Sequence, residues 1–266
     1  MRIVRFIADK EEGIFFGRME ENIIYKIAGN LFEQGKFLRS TGEKYEQIEV
    51  RILEPVNPPN IIAIGLNYRE HARESGVELP QKPLIFSKVT SSLIGPGDDI
   101  ILPEQTPDKV DYEAELGVVI SREAKNVTAA DADDFILGYT CVNDVTARDC
   151  QQSDGQWTRA KSFDTFCPVG PWIETELNSE DCAISCEVNG EVRQDSTTGD
   201  MIFSVYEIVS YLSHNMTLLP GTLITTGTPS GVGLGYNPGK FLEEGDIVKV
   251  KIQGVGVLEN RVVKPE

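Results

Sequence analysis

Asp111-Tyr112-Glu113-Ala114-Glu115-Leu116-Gly117-Val118-Val119-Ile120 is the stretch from which the chain is best read. Its second half is an apolar run of β-forming residues. Side chains alternate along a strand, so a strand that includes the first half puts Asp111, Glu113 and Glu115 on one face. Three like charges on one face repel each other, and a cation seated there relieves the repulsion. The same residues also fit a solvated edge strand whose charges deter aggregation. A second segment, Tyr139-Thr140-Cys141-Val142-Asn143-Asp144, reads as a strand ending on a carboxylate. Asp144 beside the polar loop that follows fits a metal ligand, or an aspartate that caps a turn.

Composition narrows what such a site could serve. The chain has 266 residues, with 25 Lys and Arg against 42 Asp and Glu, a formal net charge of −17. That excludes binding to nucleic acid through phosphate neutralisation and argues against docking on an anionic membrane. No apolar run approaches the roughly 20 residues of a membrane span, and the N-terminus lacks the apolar core of a signal peptide. A cytoplasmic protein is the expectation. Five cysteines (Cys141, Cys150, Cys167, Cys182 and Cys186) are an odd number and read as reduced thiols. His71 and His214 are the only histidines, too few for a three-histidine metal site, so a metal would be held by oxygens: Mg²⁺, Mn²⁺ or Ca²⁺.

Residues 1–54 read as short strands (3–7, 14–17 and 23–27) separated by turns at 9–13 and 20–22. The proline-rich stretch 54–60 is the best boundary, dividing a small N-terminal β domain from the remainder, 55–266. A helix is expected over 68–75, closed by Gly76. Another is expected from Thr128, where a capping box begins, to Gly138. Ser204 and Glu207 form a further capping box before Val205, Ile208, Val209 and Leu212, spaced for one buried helix face. The rest reads as strands and turns, giving a β-rich α+β protein.

Other groups carry potential chemistry. His71 and Glu74 are three apart and share a helix face, where a glutamate can orient an imidazole as a general base. The plainer reading is a charged surface helix. Lys88 and Lys161 stand among apolar and aromatic residues, where a lysine usually has a carboxylate or bound anion as partner. The glycines of 224–235 can present backbone N–H groups to an anion, although their spacing is not a dinucleotide fingerprint.

Five stretches in this order resemble the fumarylacetoacetate hydrolase family: Gly65-Leu66-Asn67-Tyr68 with His71 and Glu74, 111–116, 143–149, Lys161-Ser162-Phe163-Asp164, and 226–233. The resemblance runs from about Asn60 to the C-terminus. It implies a large mixed β-sandwich roll, usually a homodimer, with one Mg²⁺ or Mn²⁺ per subunit on Glu113, Glu115 and Asp144, Ca²⁺ being a possible substitute. Asp111 would support that site, and Asn67 stands where one branch of the family adds an acid. His71 and Glu74 would form a water-activating dyad on a lid, and Lys161 would stabilise developing negative charge. Arg148 and Gln151 would orient the substrate carboxylate or support the site, with Thr228 and the Gly227 backbone at the substrate's carboxylate end. Lys88 matches a recurrent lysine without an assigned role. The implied activity is hydrolysis of a C–C bond in a 2,4-dioxo acid, releasing pyruvate. Isomerisation, tautomerisation or decarboxylation of a related 2-oxo or 2-hydroxydienoic acid, or of oxaloacetate, is the alternative.

Overall fold

The computed structural model describes every residue except 10, 35–37 and 266. Two adjacent strands form its centre, β7 (Ala114–Ile120) and β8 (Ile136–Asn143), and every residue in both is buried. Strands covered on both faces are near-continuously apolar, and these two are paired antiparallel from Ala114↔Asn143 to Ile120↔Ile136. The acidic stretch is therefore no exposed edge.

Around this pair the main sheet grows in both directions. On one side of β7 lie β12 (Leu223–Thr225), β5 (Ile61–Ile64) and β6 (Ile85–Lys88). The β12–β5 pairing is parallel and its neighbours are antiparallel, so the sheet is mixed. On the side of β8 lies β9 (Cys167–Glu174), followed by the N-terminal strands β1 (Arg2–Ala8), β2 (Glu11–Glu20), β3 (Ile23–Ile27) and β4 (Ser40–Glu46). The N-terminal segment is thus joined edge-on through β1–β9 pairing at Arg2↔Glu174 and Ile3↔Ile173. It also has a cluster of its own, Val4, Phe6, Ala8, Met19 and Ile24.

A second sheet packs on the first. It contains β11 (Glu191–Thr197), β10 (Ala183–Val188), β13 (Ile247–Ile252) and β14 (Gly256–Val263), with Ile100–Ile101 at its edge. Leu116, Val118 and Ile120 of β7 join Ile184, Cys186, Val248 and Val250 in one core, and Val119 faces the opposite cluster with Ile3 and Val142. Alternation along one strand thus feeds two cores, and each fully buried Leu, Ile or Val contributes about 1.5–3 kcal/mol.

The helices stand outside the sheets. Helix α1 (Arg69–Ser75) ends on Gly76 at φ 66°, a left-handed stop that glycine adopts without strain. Helix α2 (Arg148–Asp154) follows the Asp144 loop. Helix α3 (Val205–Asn215) has the Ser204/Glu207 capping box and buries Val205, Ile208, Val209 and Leu212. No helix among the described residues is long and apolar enough to cross a membrane.

Three expectations are corrected. The helix from Thr128 is a 3₁₀ turn, Ala129–Phe135, and Gly138 lies inside β8. A Cβ there would come within 2.5 Å of the Glu174 carbonyl oxygen, so glycine marks close strand packing. The acidic stretch is not one strand: Val110–Asp111 pairs with Thr146–Ala147 in a separate ribbon, and β7 begins only at Ala114. Of the turn expected at 9–13, Lys10 lies outside the described residues and Glu11–Gly13 already belong to β2.

Candidate active site

The β7–β8 register brings two carboxylates together. Ala114 and Asn143 are partners at the end of the ladder, so Glu113 and Asp144, each one residue outside it, become neighbours. The Asp144 N–H donates to the Glu113 carbonyl at 2.9 Å, and the Glu113 N–H donates to Asn143 Oδ1 at 3.0 Å. Glu115, one residue into β7, supplies the third carboxylate. One oxygen from each of Glu113, Glu115 and Asp144 lies within 4.8 Å of the others, and all three residues are buried. Asp111 stands apart: it accepts from the Gly233 and Leu234 N–H groups at 2.7 and 3.0 Å and tethers that loop.

Three cations answer the charge. Lys161 Nζ bridges Glu113 Oε2 and Asp144 Oδ2, both at 2.7 Å. Lys88 Nζ donates to Asp144 Oδ1 at 2.6 Å. Arg148 reaches Asp111 Oδ2 and Glu113 Oε1, each at 2.8 Å, and donates to Gln151 Oε1 at 2.9 Å. Four carboxylates thus face three cations, and among the described residues no ion pair reaches Glu115. Glu115 Oε2 accepts from the Gly227 N–H, at 2.8 Å.

The acidities follow this layout. Burial pushes Glu115 well above the usual carboxylate range, and the charges of Asp144 and Glu113 push it further. Burial acts on Glu113 in the same direction, but Lys161 and Arg148 outweigh it and hold Glu113 down to about 2. For Lys161, burial favours the neutral amine, yet Asp144 and Glu113 more than reverse this and raise it. An all-oxygen donor set, one uncompensated carboxylate and close ligand atoms are what a hard divalent cation requires. The residues fit such an ion, held by Glu113, Glu115 and Asp144.

A cavity of about 760 Å³ opens from this cluster to the surface. Glu113, Arg148 and Lys161 line its buried end, while Glu115 and Asp144 do not reach its wall. His71 and Glu74 stand on its side, on α1. His71 Nδ1 meets Glu74 Oε2 at 2.8 Å, and the other Glu74 oxygen accepts from the Gly231 N–H at 2.9 Å. The dyad is therefore also a tie between α1 and the 226–235 loop, and it engages His71 through Nδ1 rather than Nε2.

Gly227 and Thr228 are placed differently from Arg148 and Gln151. The Gly227 N–H is directed at Glu115 rather than into the cavity. Its φ of +92° and the 2.7 Å approach of a would-be Cβ to Asn67 make glycine necessary there. Thr228 lines the cavity, but its hydroxyl donates to the Ala114 carbonyl at 3.0 Å and accepts from Gln194 Nε2 at 2.8 Å. Asn67 is a clamp, bonding Thr226 and Phe203 through its side chain. Sequence reasoning left Lys88 without a role and passed over Gln194, which also accepts from the Ala114 N–H at 2.8 Å and so braces the first residue of β7.

Comparison with known proteins fits this geometry. Residues 60–263 match the family model described as fumarylacetoacetate (FAA) hydrolase, C-terminal, and residues 1–55 match one described as Rv2993c-like, N-terminal. The chain belongs to the fumarylacetoacetate hydrolase family. Within it, the chain is 43% identical over 220 residues to mitochondrial oxaloacetate tautomerase Fahd2a of Rattus norvegicus, covering 81% of this chain and 70% of that protein. The structure of 5-carboxymethyl-2-hydroxymuconate delta-isomerase from Mycobacterium smegmatis superposes with a TM-score of 0.89 at 41% identity, covering 100% of both chains. The 2-hydroxyhepta-2,4-diene-1,7-dioate isomerase of Mycobacterium marinum gives 0.88 at 41% identity, covering 99% of this chain and 98% of that one. Like these relatives, the chain is an enzyme of the family, and a divalent metal is the family's general cofactor.

Proposed function

We propose that the protein is a divalent-metal-dependent tautomerase or isomerase of a 2-oxo acid, moving a proton through the substrate's enolate. The observation that carries this reading is the buried carboxylate triad next to a histidine–glutamate pair in one cavity. The names of the relatives support proton transfer over C–C hydrolysis. A cation on Glu113, Glu115 and Asp144, Mg²⁺ or Mn²⁺ in this reading, supplies Lewis acidity that favours loss of a proton beside a 2-oxo group.

The chain's own residues do the rest. His71 takes the C3 proton through Nε2 and returns it, and Glu74 holds the ring in place through Nδ1. Lys161, fixed by two carboxylates, presents positive charge to the oxygen on which the enolate charge develops. Arg148 Nη2 is buried without a hydrogen-bond partner among the described residues, a donor that a substrate carboxylate would satisfy. Gln151 has its amide oxygen taken by Arg148, leaving its NH₂ for the substrate. Gly227 and Thr228 act indirectly, by setting Glu115 and the start of β7.

The test is ketonisation of enol-oxaloacetate, followed by ultraviolet absorbance with metal-stripped protein and with added Mg²⁺ or Mn²⁺. Metal-dependent acceleration supports the reading, and rates equal to buffer with either metal, for enol-oxaloacetate and for the enol of phenylpyruvate alike, refute it. C–C hydrolysis of a 2,4-dioxo acid is the second reading, favoured by the same dyad, which could equally activate a water. Pyruvate release from acetylpyruvate, followed with lactate dehydrogenase, decides it.

A further inference from the structure

The outer half of the cavity differs in chemistry from its buried end. Phe86 and Trp157 meet edge to face there, with ring centroids 5.4 Å apart and planes at 71°. Lys161 Nζ lies 5.2 Å from the centre of the Phe86 ring, so the aromatic wall begins where the charged floor stops. Beyond it the cavity is bordered by Leu66, Val77, Leu84 and Leu234. Val77, Leu84 and Leu234 are 51%, 47% and 43% exposed, apolar surface left uncovered at the mouth.

Charge at this end disfavours an anion. The basic residues lining the cavity are His71, Arg148 and Lys161, and the last two lie at its buried end, where they face the substrate's carboxyl end rather than its distal group. Glu78 lines the outer part as well. A second carboxylate on the substrate would meet this acid and no free cation. The volume, about 760 Å³, falls in the range of roughly 300–1,000 Å³ that encloses ligands much larger than a four-carbon acid.

We propose that this wall is a subsite for an apolar, planar or branched group at the distal end of the substrate. The natural acid is then a 2-oxo acid with an aromatic or aliphatic substituent, not a short dicarboxylate. The inference rests on the proposed 2-oxo acid chemistry for the orientation of the substrate: carboxyl end toward Arg148 and Lys161, distal group against Phe86 and Trp157.

Binding separates the two claims. The chain has two tryptophans, so Trp172→Phe leaves Trp157 as the sole tryptophan, whose emission is read by excitation at its red edge. Phenylpyruvate, added with Mg²⁺, should quench Trp157 and bind at least about tenfold more tightly than oxaloacetate. In unlabelled wild-type protein its enol–keto exchange should show the higher kcat/KM by a similar factor. Leu84→Ala, at an exposed rim position that tolerates truncation, and Trp157→Ala should each shrink this preference several-fold. Tight, quenching phenylpyruvate without tautomerisation upholds the subsite and refutes the reaction. Oxaloacetate binding as tightly as phenylpyruvate, or both losing affinity equally in Leu84→Ala, overturns the subsite.

Discussion

The two ends of the cavity are built on opposite terms. At the buried end, Glu113, Asp144, Lys88, Lys161 and Arg148 are held by ion pairs of 2.6–2.8 Å between nearly inaccessible groups. On helix α1 at the cavity's side, His71 and Glu74 have side chains 16% and 21% exposed and depend on one hydrogen bond to each other and one to Gly231. Strong, mutually dependent charges make a rigid metal cradle. The weaker tie suits a part that moves to admit a substrate. Changes at the ion-paired carboxylates of the floor should therefore cost folding and metal together, and changes to the α1 dyad should cost only turnover.

The largest effect is expected from Glu113→Gln. It removes a ligand and leaves Lys161 and Arg148 short of a buried partner, so Mn²⁺ binding by calorimetry should vanish and activity fall more than about 10³-fold. Breaking a buried pair costs about 3–5 kcal/mol, which thermal unfolding of the metal-free protein would show. Glu115→Gln sharpens the contrast, because Glu115 has no cationic partner: metal affinity should fall as steeply while metal-free stability holds or rises. Equal destabilisation by the two substitutions would break the charge assignment.

On α1, His71→Ala should lower kcat by about 10²–10⁴-fold with the melting temperature and Mn²⁺ affinity unchanged. Full activity would remove His71 from the mechanism. The smallest effect is expected from Gly235→Ala. A Cβ there would come within 2.4 Å of Glu74 Oε1, so the carboxylate must swing away from its present position. A loss of roughly tenfold in kcat, with metal binding intact, is the expected outcome of loosening the dyad.

What could be read from the chain beforehand follows the same division. The His71–Glu74 pair is local, three residues apart on a short helix with a glycine stop, and its geometry is legible from spacing. The buried strands were legible because their apolar runs have nowhere else to go. The break after Asp111 was not: it depends on pairing with Thr146 and on N–H groups of Gly233 and Leu234, more than a hundred residues away in the last case. Lys88 and Gln194 were illegible for the same reason, their partners lying 56 and 80 residues away along the chain. Gly138 misled as a helix stop because glycine serves close strand packing as readily as a turn.

The central claim is metal-dependent proton transfer at C3 of a 2-oxo acid with His71 as the base. Deuterium exchange into C3 of phenylpyruvate and of oxaloacetate, followed by NMR in D₂O, measures it directly. The prediction is rapid exchange with Mn²⁺ or Mg²⁺, lost on metal removal and in His71→Ala, with the carbon skeleton intact. Exchange no faster than in buffer, or exchange unaffected by His71→Ala, would contradict the account.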